Sequence, residues 1–458
     1  MTDRTASAPS EPDAAVGGPL ARPWRWLSIG MFSLIFLAAF EALAVTTVMP
    51  IVAADLDGRS LYAVAFSVPL AAGVVGMVIA GNWSDRSGPL PPLLAAAALF
   101  VSGLVIAGLA PNMPILVLGR FVHGLGGAAV TVPLYVIVAR VYPAAVRARV
   151  FAGFAAAWVI PSIIGPAVAG FIAERLDWRW VFLGVIALVV PAGAMMLVPL
   201  LRVLDRVQGD PAVAWSGTRI AWAVVAAAAA LALGLAKELP EPWRWLTAAA
   251  AIGVAILAVR PLVPPGTVRA ARGMPATVLM RAIVAGAFFG SEIYLPYLLM
   301  ERYEFSASLA GAVLTGAGIS WAAASWLQGR LGERVSHADA VRIGAALLAV
   351  SLLAVLAVAA FSLPPLVAFA AWTLSGAAMG FMYPRFSVSV LEQSRQESQG
   401  FNSAALNIGE ALGSAIALAI TALVASVLGP EAFAAEFLVT AAIAIVGVLL
   451  ASRVRPRM

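Results

Sequence analysis

Apolar stretches of about 20 residues recur along almost the whole chain, with short polar segments between them. A helix needs about 20 apolar residues to cross the hydrocarbon core of a bilayer, so each stretch predicts one membrane span. The pattern predicts fourteen spans, at 25–50, 60–82, 91–110, 113–139, 150–173, 179–201, 218–236, 244–262, 276–300, 308–329, 341–361, 365–388, 400–428 and 431–452. The segments 218–236 and 244–262 could instead form one re-entrant pair.

The composition is that of an all-α polytopic membrane protein. Hydrophobic residues make up 62% of the 458 residues and charged residues 11%, against about 25% charged residues in soluble proteins. The chain has no cysteine and two histidines, so disulfides and Cys-ligated metals are excluded and we expect no metal and no cofactor. Because no phosphate-binding loop or nucleophile motif is found, we expect neither an enzyme nor ATP-driven transport.

The basic residues orient the spans. With both termini in the cytoplasm, most of the 29 Lys and Arg residues fall in cytoplasmic loops and tails, as the positive-inside rule requires. Arg281 and Arg385 are counted among these cytoplasmic residues. The net charge of +6 therefore indicates a multi-pass protein of the cytoplasmic membrane and no nucleic-acid partner. Residues 1–24 and 453–458 are predicted to be cytoplasmic tails, the first one disordered.

Two glutamates hold matching places in the first and ninth spans. Glu41 and Glu292 lie about 250 residues apart, each well inside an apolar stretch. An ionisable side chain at membrane depth normally faces a cavity, where burial favours the neutral acid and allows proton exchange. The alternative is a glutamate that is capped by a hydroxyl or reaches the outer surface. Glu410, inside 400–428, is a further candidate for the cytoplasmic half of the cavity.

Arg120 and His123 lie one turn apart on the fourth predicted helix and share a face. An intramembrane arginine needs a carboxylate or several carbonyl groups, and Glu41 is the natural partner across the cavity. The pair could serve proton coupling or could be purely structural. His123 is either a hydrogen-bonded packing residue or part of the substrate cavity.

The two halves of the chain form an internal repeat. A common shift of about 250 residues superimposes several short patterns, and it is the shared shift that indicates the repeat. We predict a six-helix bundle at 25–201, loops and linker helices 7 and 8 at 202–275, and a second six-helix bundle at 276–452, related by a pseudo-two-fold axis along the membrane normal. The superimposed patterns are Gly81-x-x-x-Asp85-Arg86 with Gly329-x-x-x-Glu333-Arg334, Arg120-x-x-x-Gly124 with Trp372-x-x-x-Gly376, and Gly165 with Gly413.

These motifs resemble those of the major facilitator superfamily, and six plus two plus six helices resemble its fourteen-helix drug:proton antiporter branch. Gly81-x-x-x-Asp85-Arg86-x-Gly88 is similar to the signature loop of the family, although Pro89-Leu-Pro-Pro stands where basic residues usually follow. The segment from Pro161 through Gly165 and Pro166 to Gly170 is similar to the antiporter motif of helix 5. Residues 41–50 (EALAVTTVMP) resemble the helix 1 motif, with glutamate where aspartate is commoner.

The resemblance implies a role for each motif. Gly81, Asp85, Arg86 and Gly88, with Glu333 and Arg334 in the repeat, would form a conformational latch between the bundles. Pro161, Gly165, Pro166 and Gly170 would form a smooth face on which helices slide during alternating access. Arg120 would take part in proton relay. Glu41, Glu292 and Glu410 are the further candidates for proton coupling from their place at membrane depth, with Arg120 as the partner of Glu41 and Glu292 as a second site for a cation or a proton. We read helices 7 and 8 as spacer or lipid-facing helices.

These features together favour a proton-coupled antiporter that exports lipophilic, often cationic, small molecules. Its partners would be substrate, protons and the lipid bilayer, and we expect a monomer. A lipid or glycolipid exporter of the same fold remains an alternative, as does a non-transporting membrane receptor or assembly protein. Side chains that could line a lipophilic cavity, or simply pack, are His123, Tyr135, Trp158, Tyr294, Tyr297 and Trp321.

Overall fold

The computed structural model describes residues 18–22, 24–331, 334–394, 399–428 and 433–455. Within these ranges the regular secondary structure is entirely helical, as predicted. Fourteen segments are long and apolar enough to cross a membrane, and the regions 218–236 and 244–262 are each among them. Most of the predicted tail at 1–24, the latch residue Glu333 and the last three residues lie outside the described ranges.

Each bundle contributes six of these spans, and two more lie between them. The helices of the N-terminal bundle are α1 (Arg25–Asp55), α2 (Tyr62–Ser87), α3 (Leu90–Gly108), α4 (Met113–Val141), α5 (Ala144–Arg175) and α6 (Arg179–Leu201). The linker contains α7 (Gly217–Leu235) and α8 (Trp243–Val259). The C-terminal bundle contains α9 (Met274–Glu292), α10 (Tyr294–Tyr303), α11 (Ala307–Leu331), α12 (His337–Phe361), α13 (Pro365–Gln393), α14 (Gln399–Leu428) and α15 (Phe433–Leu450).

The ninth span is interrupted, which the hydrophobic pattern does not reveal. Helices α9 and α10 are two segments of one span, separated at Ile293. Pro296 has no backbone N–H, so it cannot bond the carbonyl group of Glu292, and its ring crowds that carbonyl. The interruption therefore falls directly beside the glutamate that the repeat singled out.

The even number of spans brings the start of α1 and the end of α15 to the same end of the molecule, called the termini end here. The opposite end, where α1 meets α2 and α10 meets α11, is called the far end.

Equivalent glycines make equivalent helix contacts in the two bundles. A Cβ atom on Gly124 of α4 would collide with the backbone of Pro69 in α2, and one on Gly376 of α13 would collide with Ala317 in α11. Gly413 of α14 packs in the same way against Ala282 of α9. The helix pairs α4–α2 and α13–α11 thus correspond, as the internal repeat predicts.

Two seams join the bundles, α2 against α14 and α5 against α11. At the second seam, a Cβ atom added to Gly311 would lie 2.7 Å from the carbonyl oxygen of Pro166. A Cβ atom added to Gly170 would lie 2.8 Å from the backbone of Ser308. Gly165 instead faces Phe40 of α1. The predicted smooth face of α5 is therefore shared between its own bundle and the facing one.

Helix α7 packs against both bundles, in contrast to the expected spacer or lipid-facing position. Its alanine-rich face contacts α2 and α14, and α8 packs behind it on α7. Ala227 and Ala230 of α7 lie in one apolar cluster with Ala71 of α2 and Ala415 of α14. Small side chains on all three helices permit this close approach.

Arg281 and Arg385 are not the cytoplasmic loop residues that the charge count assumed. Arg281 lies in the second turn of α9 with 11% of its side chain exposed, and it is bonded to Glu410. Arg385 is 9% exposed in α13 and contacts the side-chain amide of Gln328 and the His337 ring. The charge count treats them as cytoplasmic because both lie near the cytoplasmic ends of the predicted spans 276–300 and 365–388.

We expect Gly124→Ala to destabilise the protein, because the added methyl group meets the Pro69 backbone, which cannot rotate away. Overpacking of this kind typically costs about 1–3 kcal/mol. Gly184→Ala is the matched control, since nothing lies within 4 Å of its added Cβ atom. Thermal unfolding in detergent should show a lower midpoint for Gly124→Ala alone; equal midpoints for the two variants would contradict the packing argument.

Candidate functional site

The centre of the N-terminal bundle contains a buried carboxyl group with a cationic partner. Glu41 of α1 is 0% exposed, and Nη1 of Arg120 on α4 lies 2.5 Å from its Oε1 atom. Arg120 Nε donates a second hydrogen bond, of 3.2 Å, to the carbonyl oxygen of Ala65 on α2. The side chain of Arg120 therefore joins three helices of the bundle, and the pairing expected from the sequence is present.

His123 completes this group. Its Nε2 atom lies 3.0 Å from Oε2 of Glu41, and its Nδ1 atom lies 3.5 Å from Nη1 of Arg120. The imidazole therefore lies between the carboxyl group and the guanidinium, with one ring nitrogen facing each. The Phe100 ring packs against the imidazole with centroids 4.8 Å apart. We call Glu41, Arg120 and His123 the triad.

Small residues bring the triad together. Gly124 and Gly126 let α4 approach the backbones of α2 and α3, since a Cβ atom on either would collide with Pro69 or with Phe100. Arg120 is thereby carried to the Ala65 carbonyl, and its position one turn before His123 places both side chains on one face. The Arg-x-x-x-Gly spacing thus brings α4 close enough to α2 for Arg120 to reach its partners.

The triad can exist in two protonation states with different bonding. In the ionised form, the carboxylate is held by Arg120 and His123 in an interior of low dielectric constant. A proton bound by Glu41 would cancel its charge and weaken both contacts. Because an unpaired buried arginine is strongly unfavourable, that change must be accompanied by movement of Arg120 or its surroundings.

Glu292 is the corresponding carboxyl group of the C-terminal bundle, and it has a different environment. It is 8% exposed at the end of α9, beside the break at Ile293. Among the described residues, its carboxyl group has no hydrogen-bond or ion-pair partner. Trp372, which the repeat pairs with Arg120, stacks on Phe288 with centroids 4.9 Å apart and supplies no charge.

Glu410 is paired within the C-terminal bundle. Arg281 of α9 donates to its Oε2 atom from Nε at 2.9 Å and from Nη2 at 2.6 Å. The same guanidinium donates to the Ser387 hydroxyl and lies 4.3 Å from the centroid of the Tyr383 ring. The sequence patterns do not predict this partner for Glu410, because Arg281, near the start of its predicted span, is counted among the cytoplasmic residues.

The far end is closed by contacts between the bundles. Tyr62 of α2 donates a 2.6 Å hydrogen bond to the Ile293 carbonyl group, and its ring stacks on Tyr297 with centroids 4.9 Å apart. Arg59 pairs with Glu301 at 2.6 Å. We call Arg59, Tyr62, Tyr294, Tyr297 and Glu301 the far-end seal.

A third link strengthens this closure. The Glu174 carboxylate at the end of α5 accepts a 2.8 Å hydrogen bond from the backbone N–H of Ser308 in the first turn of α11. All hydrogen bonds and ion pairs that join described residues of the two bundles lie at the far end. The structure is therefore closed at the far end.

The aromatic cavity candidates fall into two groups. Tyr294 and Tyr297 are buried in the far-end seal rather than facing an open cavity, and His123 belongs to the triad. Tyr135 and Trp158 are 41% and 47% exposed in the termini half of the N-terminal bundle. Tyr135 lies within electrostatic range of Arg281 and Glu410 on the other bundle. Trp321 packs edge-on against the rings of Phe288 and Tyr383.

The loop after α2 is tied to the linker segment rather than to the second bundle. Arg86 donates a 2.9 Å hydrogen bond to the Val213 carbonyl group, and the Asp85 carbonyl group accepts one from the Asp210 N–H. Gly88 has φ +80°, and a Cβ atom on it would lie 2.6 Å from the Val207 carbonyl oxygen. Gly81 precedes these residues in the last turns of α2.

The repeat copy of this loop is only partly visible. Arg334 is exposed at the termini end, and Glu333 lies outside the described ranges. The latch role of both loops stays a prediction.

Removal of one triad charge should cost more than removal of both. Arg120→Leu leaves the Glu41 carboxylate buried without its cation, which typically costs about 3–5 kcal/mol. We expect Glu41→Gln combined with Arg120→Leu to restore much of the lost thermal stability. Unfolding midpoints of the single and double variants measure this coupling, and strictly additive losses would show that the two side chains act independently.

Relatives with described roles are similar over most of the chain. The multidrug transporter protein MdtP of Bacillus subtilis is 25% identical over 386 residues, covering 82% of this chain and 70% of that protein. The multidrug efflux pump SdrM of Staphylococcus aureus is 22% identical over 414 residues, covering 88% and 91%. For several other relatives, the match spans only about a third of their own length (34–35%).

A solved structure shares the fold. A POT family transporter in complex with a thioalcohol-conjugated peptide superimposes with a TM-score of 0.68 at 16% identity, covering 92% of this chain and 94% of that one. At this identity the likeness concerns the fold alone.

The family model supplies the assignment. The model of the Major Facilitator Superfamily matches residues 31–417 and, in a second match, residues 277–458. These matches extend over both bundles and the linker helices between them. With two six-helix bundles joined along two seams, the chain belongs to the Major Facilitator Superfamily.

Proposed function

We propose that this transporter is a proton-coupled antiporter that exports lipophilic, often cationic, small molecules by alternating access. The observation that carries the proposal is the triad: a fully buried carboxyl group whose ion pair joins α1 to α4 inside one bundle. Such a group changes its bonding when it binds a proton, and it can therefore link proton binding to helix movement.

The orientation follows from the basic residues. If the termini end faces the cytoplasm, as the positive-inside rule favours, the closed far end faces outward and the transporter faces inward. A substrate would then reach the cleft from the cytoplasm, past Tyr135 and Trp158. Export would require the far-end seal to open and the termini end to close by rocking of the bundles.

The coupling step needs only one proton site. With the far end open, a proton from outside would bind the Glu41 carboxylate, and the neutral acid would release Arg120. With the termini end open, the proton would leave for the cytoplasm, and the carboxylate would pair again with Arg120 at the distance seen here. Proton entry and substrate exit would thus alternate at the same cleft.

The chemistry of the cleft supports the substrate class. Aromatic side chains offer contact area to lipophilic molecules, and the unpaired carboxyl group of Glu292 offers a partner for a positive charge. MdtP and SdrM carry multidrug names, which agrees with a cleft that is selective for physical properties rather than for one shape.

Dye efflux from vesicles with an imposed pH gradient tests the coupling. Glu41→Gln keeps the size of the side chain but cannot ionise, so gradient-driven efflux should fall by about tenfold or more. Glu238→Gln, a change at an exposed site in the linker, is the matched control and should transport like the parent. Equal gradient-driven efflux by Glu41→Gln and the parent would sink the coupling assignment and leave the fold intact.

Glu292 can be tested through substrate charge. Glu292→Gln removes the unpaired carboxyl group without changing its volume, so efflux of a cationic dye should fall by about fivefold or more relative to a neutral dye of similar size. The ratio of the two rates is the measurement, because a general loss of folded protein lowers both rates together. If both rates fall by the same factor, Glu292 does not contribute to cation selectivity.

A further inference from the structure

Helix α15 carries a buried carboxyl group that the mechanism above does not use. Glu436 is 7% exposed, and its Oε2 atom has no hydrogen-bond partner in the part of the chain that the structure describes. A carboxylate anion without a partner is strongly unfavourable in such an interior, whereas the neutral acid is tolerated. The hydrophobic pattern does not single out Glu436, because this residue lies near the start of the last predicted span.

Neighbouring contacts show which way Glu436 faces. One turn before it, Phe433 packs edge-on against Tyr297 with centroids 5.4 Å apart. One turn after it, Thr440 accepts a 2.7 Å hydrogen bond from the Ser291 hydroxyl of α9. Residues three and four apart share a helix face, so Glu436 faces the broken span formed by α9 and α10.

The far-end seal lies beside this carboxyl group. Glu436 is within electrostatic range of Tyr62 on α2 and of Tyr294 and Tyr297 on α10. Tyr62 is the residue that bonds the Ile293 carbonyl group across the bundles. The closed seal therefore lies close to Glu436.

Among the residues that the structure describes, none of the charged groups around Glu436 serves as its counter-ion. Arg59 is paired with Glu301, and the Arg302 guanidinium bonds the Ala359 carbonyl group. Glu292 on α9 is itself acidic, and Thr421 on α14 offers only a hydroxyl group, 3.3 Å from the Tyr294 hydroxyl.

Helix α12 also packs against α15. Its ionisable residues, His337, Asp339 and Arg342, all lie in its first turns at the termini end, far along the helix from the seal. Within the described part of the chain, a proton is thus the one positive charge that the closed seal leaves for Glu436.

We propose that Glu436 is a second proton-binding site, loaded from the far side, whose occupation is required for the far-end seal to close. With the far end open, water reaches the carboxylate and a proton from the far-side solution binds it. Closure then buries the neutral acid. On reopening, the proton returns to the solution it came from, so this proton sets the conformation and is not transported. The proposal rests on the alternating access of the proposed function.

Distances across the far end test the proposal. Because the chain has no cysteine, spin labels at Ser60→Cys and Leu366→Cys report on one exposed site in each bundle without background. In the parent, the population with long distances should rise several-fold between about pH 6 and about pH 9, because ionised Glu436 disfavours closure. In Glu436→Gln, the same ratio should be about one, with the seal closed at both values of pH.

Two results would overturn the proposal: a pH response in Glu436→Gln that equals the response of the parent, or no response in the parent. Glu41→Gln separates this outcome from the fate of the proposed function. It should lose gradient-driven export and still show the pH-dependent far-end distances. Unchanged export by Glu41→Gln removes the coupling assignment, while the distance measurement continues to decide the role of Glu436.

The pH dependence of thermal unfolding distinguishes the loss of the Glu436 carboxyl group from a folding defect. A carboxyl group that is neutral when folded and ionised when unfolded stabilises the folded state at low pH, and this contribution is lost as the pH rises. The unfolding midpoint of the parent should therefore decrease with pH, Glu436→Asp should keep the slope, and Glu436→Gln should flatten it. If Glu436→Gln does not fold, a flat profile in Glu436→Asp overturns the proposal and a retained slope supports it.

Discussion

A charge can remain inside a membrane protein only if something replaces the water it has left, and this requirement organises the molecule. Around Glu41 the replacement consists of Arg120 and His123, and the pair in turn requires the Ala65 carbonyl group and the glycines that let α4 approach α2 and α3. The bonding is complete only while the carboxyl group is ionised. The N-terminal bundle is therefore stable around one charge state and must rearrange in the other.

The two bundles have equivalent helix contacts but differ in the charged residues that they bury. Their glycines place equivalent helix pairs in contact, yet the position of Arg120 is taken by Trp372 in the second bundle. The C-terminal bundle instead has an ion pair nearer the termini end, between Arg281 and Glu410, and unpaired carboxyl groups at Glu292 and Glu436. One half of the molecule thus pairs its central carboxyl group, and the other leaves two buried acids, Glu292 and Glu436, without a counter-ion among the described residues.

Hydropathy and short motifs are sufficient to predict the fourteen spans, the repeat and the Glu41–Arg120 pairing, because apolar stretches of membrane length, a common shift between the halves and charges at membrane depth can all be read from the sequence. They do not predict which other side chains meet between helices. Arg281, near the start of its predicted span, is counted as a cytoplasmic residue, although it pairs with Glu410 on another helix. Tyr62 has no signal in the sequence, since its importance depends on a backbone carbonyl group, that of Ile293, in the other bundle. Which charged or aromatic side chains face each other across the cleft is a property of packing and not of composition.

The position of α7 decides how the interior communicates with the surrounding lipid. Because α7 lies along both α2 and α14, it covers the junction between the bundles on that side and bars acyl chains and dissolved amphiphiles from entering there. The opposite junction, between α5 and α11, has no such covering helix among the described residues. The linker helices therefore lie against one junction only, which makes the molecule asymmetric about its own pseudo-symmetry axis.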